Sequence, residues 1–217
     1  MLGAFDESVR AALDIWASDP TRPSDKFEDV ERFRHLIGAP MMNLQVLDMD
    51  FADPMRFTMS LIVESFDVHR DGANTLGSFP DRQYITQHVL RDYLHAADTG
   101  HPKIDRIATR IRDQYVVYDR VILPRKKKLK TQKSEWAVAI SLPEINIPAP
   151  VAPPKLAGRD RDILNLLVMG NSTKEIAFAL DLTPKAVEHR LSALRKQYNA
   201  KTLSHLTSIA VVTALAR

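Results

Sequence analysis

The chain has 217 residues, 45% hydrophobic and 26% charged, with a formal net charge of +3, a balance that fits a globular protein of two small domains rather than a disordered chain. It contains no cysteine, which excludes disulfides, cysteine-based zinc sites and thiol chemistry, and no apolar run approaches the ~18 residues of a membrane span.

The opening Met-Leu-Gly-Ala-Phe-Asp-Glu has no basic segment and is not expected to act as a secretory signal, so a cytoplasmic protein is expected. Residues 1–19 have helical spacing, with Phe5, Val9, Ala12, Leu13 and Trp16 on or near one face. An exposed amphipathic helix seeks a partner, so Val9, Leu13 and Trp16 are the expected dimer contact. Phe27 to Ile37 reads as a second short helix. The period then changes to alternation, with strands over Asn43–Met49 and Arg56–Phe66 joined by a turn at Phe51-Ala-Asp-Pro,. Residues 67–80 are loop-like, and Asp81–Thr99 is a strong helix stopped by Gly100-His-Pro,. Three further strands are predicted at Ile104–Arg112, Tyr115–Leu123 and Glu135–Ser141.

Two strands, a helical crossing and three more strands predict an α+β domain. Its core is a five-stranded antiparallel sheet with helices on one side. That order, with the run Tyr115-Val-Val-Tyr-Asp-Arg-Val-Ile-Leu-Pro and the later Trp136-Ala-Val-Ala-Ile, resembles a PAS-like sensor over residues 30–141. The resemblance implies a domain, residues 1–141, that senses a signal or mediates dimerisation. The antiparallel order excludes a phospho-receiver, although Asp48, Asp50 and Asp53 lie near strands. A lactone-binding domain is also unexpected, because Trp16 and Trp136 fall outside the region where its pocket residues belong.

Little in this half points to chemistry. His35, His69, His88, His95 and His101 include one helical pair, His88 and His95, but no third ligand spacing. They read as surface or packing residues, and neither metal nor cofactor is called for. No strand-turn-helix surrounds any serine, and seven glycines form no phosphate loop, so no enzyme is expected. The basic run Arg125-Lys-Lys-Lys-Leu-Lys-Thr-Gln-Lys reads as a solvated hairpin loop, with an accessory phosphate contact as the sharper alternative. Prolines 143, 148, 150, 153 and 154 exclude helix and central strand, so residues 142–155 form an extended, semi-rigid linker.

Four helices are predicted beyond it. Arg159–Met169 turns Ile163, Leu166 and Leu167 inward and stops at Gly170. Ser172, with Glu175 three residues on, makes a capping box for the next helix. Asp181 ends that helix where a left-handed residue is often needed. Thr183 caps the third helix and Pro184 takes its first position. Val187, Leu191 and Leu194 form the buried stripe of this helix, and Asn199-Ala200 breaks it before a fourth helix, Ser204–Ala216. Two short helices on a tight turn, the second with a polar outer face, are the geometry that lays one helix in the major groove of DNA.

Leu156-Ala-Gly-Arg-Asp-Arg-Asp-Ile-Leu, then Gly170, Ser172-Thr-Lys-Glu-Ile-Ala and Leu182-Thr-Pro-Lys-Ala-Val-Glu-His-Arg-Leu, resemble the LuxR-type (NarL/FixJ-like) DNA-binding domain over residues 156–215. The resemblance implies an all-α helix-turn-helix domain at 156–217 in a transcriptional regulator that binds double-stranded DNA. Its expected contacts are Thr173, Lys174, Thr183, Lys185, Glu188, His189, Ser192, Arg195 and Lys196. Ala186, Glu188 and Arg190 stand where the family most often has Thr, Lys and His, so the target sequence cannot be borrowed from relatives. Charge agrees with the assignment: residues 156–217 hold nine Lys and Arg against five Asp and Glu, and the rest holds 21 against 22. A homodimer is expected, because one recognition helix spans few base pairs. RNA polymerase or another regulator is a further possible partner, and a membrane is not. Two alternatives stand beside this: an antagonist of another regulator with a degenerate helix-turn-helix, and a sigma-like initiation factor, which would need an all-helical domain before it.

Overall fold

The structure, a computed structural model, describes residues 4–18, 26–37, 42–64, 74–126, 132–148 and 154–215. The chain divides into two compact units, Met1–Ile107 with Val117–Glu144, and Ala108–Val116 with Ile145–Arg217.

Five strands, with most of their residues in the first unit, form one sheet: β1 (Asn43–Asp48), β2 (Thr58–Val63), β3 (Lys103–Ile111), β4 (Gln114–Pro124) and β5 (Trp136–Pro148). Their order across the sheet is β2-β1-β5-β4-β3, and β1 runs antiparallel to both β2 and β5. With the helical crossing between β2 and β3, this is the PAS-like arrangement that the resemblance implied. It is also not the all-helical domain that a sigma-like factor would need.

Both faces of the sheet are covered, not one. On one face, Leu44, Val46, Val121, Leu123, Val138 and Ile140 meet Phe5, Val9 and Ala12 of α1 (Ala4–Ser18) and Val30 and Phe33 of α2 (Lys26–Arg34). The alternate residues Leu47, Ile122, Ala137 and Ala139 point to the other face, as the two-residue period of a strand requires. There they meet the helix of residues 82–99. The alanines at 137 and 139 leave room for its close approach.

The residues of the expected dimer contact pack within the chain itself. Val9 is in the core, and Leu13 and Trp16 pack against it. Trp16 Nε1 donates to the Pro124 carbonyl at 2.6 Å. The apolar stripe of α1 is already used by its own sheet, which is where a short amphipathic helix recovers most of its hydrophobic stabilisation.

Helix 82–99 is one rod with an irregular centre: α3 (Arg82–Tyr84), a π-helical turn at Ile85–Leu90, and α4 (Arg91–Thr99). Asp81 accepts from Tyr84 N at its start, and Gly100 closes it at φ 70. A π-turn leaves carbonyls out of the regular ladder. The His88 carbonyl is taken up by Arg120 Nη1 at 2.9 Å.

The second departure from expectation is β5. It runs through Pro143 to Pro148, where a linker without strand was expected. Pairing with β1 ends at Asn43↔Ser141. The prolines therefore fall where β1 no longer lies alongside, and a missing N–H costs no bond to it. Prolines 150 and 153 lie outside the described residues.

Candidate nucleic-acid interface

The second unit contains four helices: α5 (Gly158–Val168), α6 (Thr173–Ala179), α7 (Pro184–Gln197) and α8 (Leu203–Leu215). Their core is Ile163, Leu164, Ile176, Ala177, Val187, Leu191, Leu194, Leu206, Ile209 and Val212. The stripe of α7 is as predicted. In α5 the inward residues are Ile163 and Leu164, with Leu166 and Leu167 only half-buried.

The turn between α6 and α7 is set by local chemistry. Ser172 Oγ accepts from Glu175 N at 3.4 Å, and Glu175 Oε2 accepts from Ser172 N at 2.7 Å. Hydrogen bonds from Ser172, side chain first and backbone second, hold the Glu175 carboxyl below its ordinary value. At the far end, Leu182 N returns to the Ala177 carbonyl at 2.9 Å and Asp181 N to that of Phe178 at 3.4 Å. This closing pattern requires a left-handed residue between them, and Asp181 supplies it at φ 53. Gly170 after α5 (φ 90) and Asn199 after α7 (φ 51) do the same. Thr183 Oγ1 then accepts from Ala186 N at 3.2 Å and Pro184 opens α7.

Of the residues singled out in the sequence, Lys174, Thr183, Lys185, Glu188, His189, Ser192 and Lys196 are exposed and Thr173 is half-buried. Lys185 and His189 share an open groove of about 670 Å³ with Thr183, Ala186 and Arg190. Ser192 and Lys196 border a smaller one farther along α7. Arg195 is half-buried and its Nη2 donates to the Lys201 carbonyl at 2.6 Å, fastening the turn into α8. Arg190, read in the sequence only as a departure from pattern, is paired with Asp160 of α5 at 2.8 Å. The partners are thirty positions apart. The signal available was an opposite charge at two motif positions, and nothing local says that they meet.

Two other readings fall on the first unit. In the basic run, Arg125 pairs with Glu135 at 2.6 Å, Lys126 lies over the Trp16 ring and Lys133 pairs with Asp98 at 2.9 Å. Residues 127–131 lie outside those described. Among the described residues no group of three or more His, Cys, Asp or Glu is placed to hold a metal ion, and His69 is not among them. No helix of the described residues is long and apolar enough to cross a membrane.

A capped helix pair whose second member turns an exposed polar face outward from an apolar core has the form of a helix-turn-helix,. The family model for bacterial regulatory proteins of the luxR family matches residues 154–210, and that part of the chain belongs to it. No curated protein matches the chain. Among solved structures, VqmA bound to DPO is 16% identical, with 88% of this chain and 89% of that chain covered at a TM-score of 0.37. The Vibrio cholera VqmA-ligand-DNA complex is 17% identical, covering 90% and 94% at 0.34. Escherichia coli SdiA is 11% identical, covering 99% and 100% at 0.30. Likenesses this distant assign the chain neither ligand nor partner.

Proposed function

We propose that the protein is a sequence-specific, DNA-binding transcriptional regulator. It acts in the cytoplasm as a homodimer, with residues 1–141 controlling DNA binding by residues 156–217 through the segment 142–155. The observation that carries this reading is the face of α7. Lys185, Glu188, His189, Ser192 and Lys196 are all exposed on a helix held rigidly from behind by Val187, Leu191 and Leu194. Side chains at 185, 188, 189 and 192 suit base edges. Lys174, Thr173, Thr183 and Lys196 suit phosphates. Arg195, bound to the Lys201 carbonyl, serves the phosphates through whatever donors that bond leaves free. A homodimer follows from the shortness of a single helix, which a twofold axis doubles.

The test is selection of genomic fragments by the purified full chain, followed by titration of the recovered site. Glu188→Ala is expected to alter preference at one base pair by about 1–3 kcal/mol. Lys196→Ala should weaken all sequences alike and reduce the salt slope by about 1. Failure to enrich any fragment at low salt would sink the proposal.

A further inference from the structure

Arg190 is the one cation of the α7 groove that the structure shows in a salt bridge. Its Nη1 lies 2.8 Å from Asp160 Oδ1, with the two side chains 42% and 24% exposed. Both line the groove that also takes Lys185 and His189. Residues 186, 189, 190 and 193 follow the i, i+3, i+4, i+7 spacing of one helix face. The neighbours of Arg190 along that face, Ala186 and Ala193, carry only methyl side chains, and the Arg190 side chain keeps 42% of its surface exposed beside Lys185 and His189. Asp160 is in the first turn of α5, where a carboxylate is favoured by the helix dipole. It does not cap that helix: the cap position is Ala157, which offers no side-chain bond.

We propose that Asp160 is a positioning residue for DNA recognition: it fixes Arg190 against the groove wall and withholds its charge from phosphates at random sites. This rests on the DNA-binding reading above. The groove holds Lys185 and Arg190 against Asp160, one net positive charge from these three residues. Each phosphate neutralised by a free cation adds about 0.9 to the log–log salt slope. A paired Arg190 adds less than its share on random DNA, and the ratio of specific to random binding stays high.

The experiment is fluorescence-anisotropy titration of the full chain over a salt series, on its selected site and on a random duplex. Asp160→Asn is expected to steepen the slope by up to about 0.9 on the random duplex. It should raise affinity there several-fold and so lower the specificity ratio. Arg190→Gln, which leaves Asp160 uncompensated, should weaken both duplexes and flatten the slope. The double variant restores the groove's net charge and should return the slope to that of the parent. Asp162→Asn makes the same charge change in the same helix at an exposed residue outside the groove and should leave the slope unaltered. The proposal is overturned if Asp160→Asn behaves like Asp162→Asn. A lower Tm at constant slope also overturns it, because the pair then only joins α5 to α7. If the parent chain binds neither duplex, the DNA-binding reading itself has failed. A binding parent with an unresponsive Asp160→Asn removes this inference alone.

Discussion

Arg120 is 1% exposed, and its guanidinium is surrounded by groups that can answer its charge. Nη2 donates to Asp92 at 2.6 Å and to Asp105 at 2.8 Å, Nε donates to Asp105 at 3.1 Å, and the rings of Tyr93 and Tyr118 lie within 6.0 Å. Lys103 reaches Asp92 at 2.5 Å and Asp105 at 3.1 Å. Above them Tyr84 and Tyr118 share a hydrogen bond of 2.9 Å, and burial pushes both hydroxyls up. Burial acts to raise the Asp92 carboxyl too, but hydrogen bonds from Lys103 and Arg91 and the charge of Arg120 outweigh it and hold the group at about 2. Burial lowers His88 below its ordinary 6.5, helped by Arg91 and Arg120 and opposed by Asp92 and Asp105. Both folded-state values are depressed, so the folded state binds fewer protons than the unfolded chain over these ranges, and stability falls with falling pH. The loss should begin below about pH 6.5 with His88 and deepen from pH 3.8 to about 2 with Asp92. Urea midpoints across that range would measure it. Asp92→Asn should cost roughly 3–5 kcal/mol at pH 7, as removal of one partner of a buried pair does, and should flatten the acid limb. Parallel curves for parent and variant would contradict the assignment.

Elements whose ends are fixed by neighbouring residues are legible in the sequence itself. The Ser172–Glu175 box, Asp181 in the left-handed region, Thr183 and Pro184 at the start of α7, and the Val187, Leu191, Leu194 stripe all act within a few positions of one another. Those settled by tertiary contact are not. The π-turn at Ile85–Leu90 packs against Arg120, 32 positions beyond His88, which donates to the His88 carbonyl. The continuation of β5 through Pro143 depends on where β1 stops. The partner of α1 cannot be read from its own periodicity, because a stripe facing a second protomer and one facing its own sheet look alike. On α7 the exposed polar face is legible, but the contacts of Arg190 and Arg195 are not, since their partners Asp160 and the Lys201 carbonyl lie outside the helix. For α1 the assignment has a direct consequence. Trp16→Asp removes the bond to Pro124, the contact with Lys126 and packing on the sheet. It should lower stability by about 2–4 kcal/mol, at or below the range for large core truncations because Trp16 is only half-buried. Thermal unfolding followed by far-UV circular dichroism would show it. An unchanged Tm with loss of the dimer would restore α1 to the subunit interface.

At the scale of the molecule, the two units divide the work by charge and by core. Residues 156–217 carry the whole excess of positive charge, and they own a core of helix-borne residues from Ile163 to Val212. About sixty residues is close to the smallest size that folds alone, so a fragment of residues 142–217 should fold cooperatively but with low stability. It should also bind DNA with less affinity than the full chain. If the PAS-like unit joins two copies, the second helix-turn-helix docks at an effective concentration set by the connection, which raises affinity by about 10²–10⁴ without a new contact. The fragment's salt slope should then be near half that of the full chain, because half as many phosphates are neutralised per complex. Sedimentation of both species, with anisotropy titration on one selected site, measures the two effects together. Equal affinity and equal slope for fragment and full chain would mean that the first unit contributes neither a second reading head nor control. The roles assigned to residues 1–141 would then have to be sought elsewhere than in assembly on DNA.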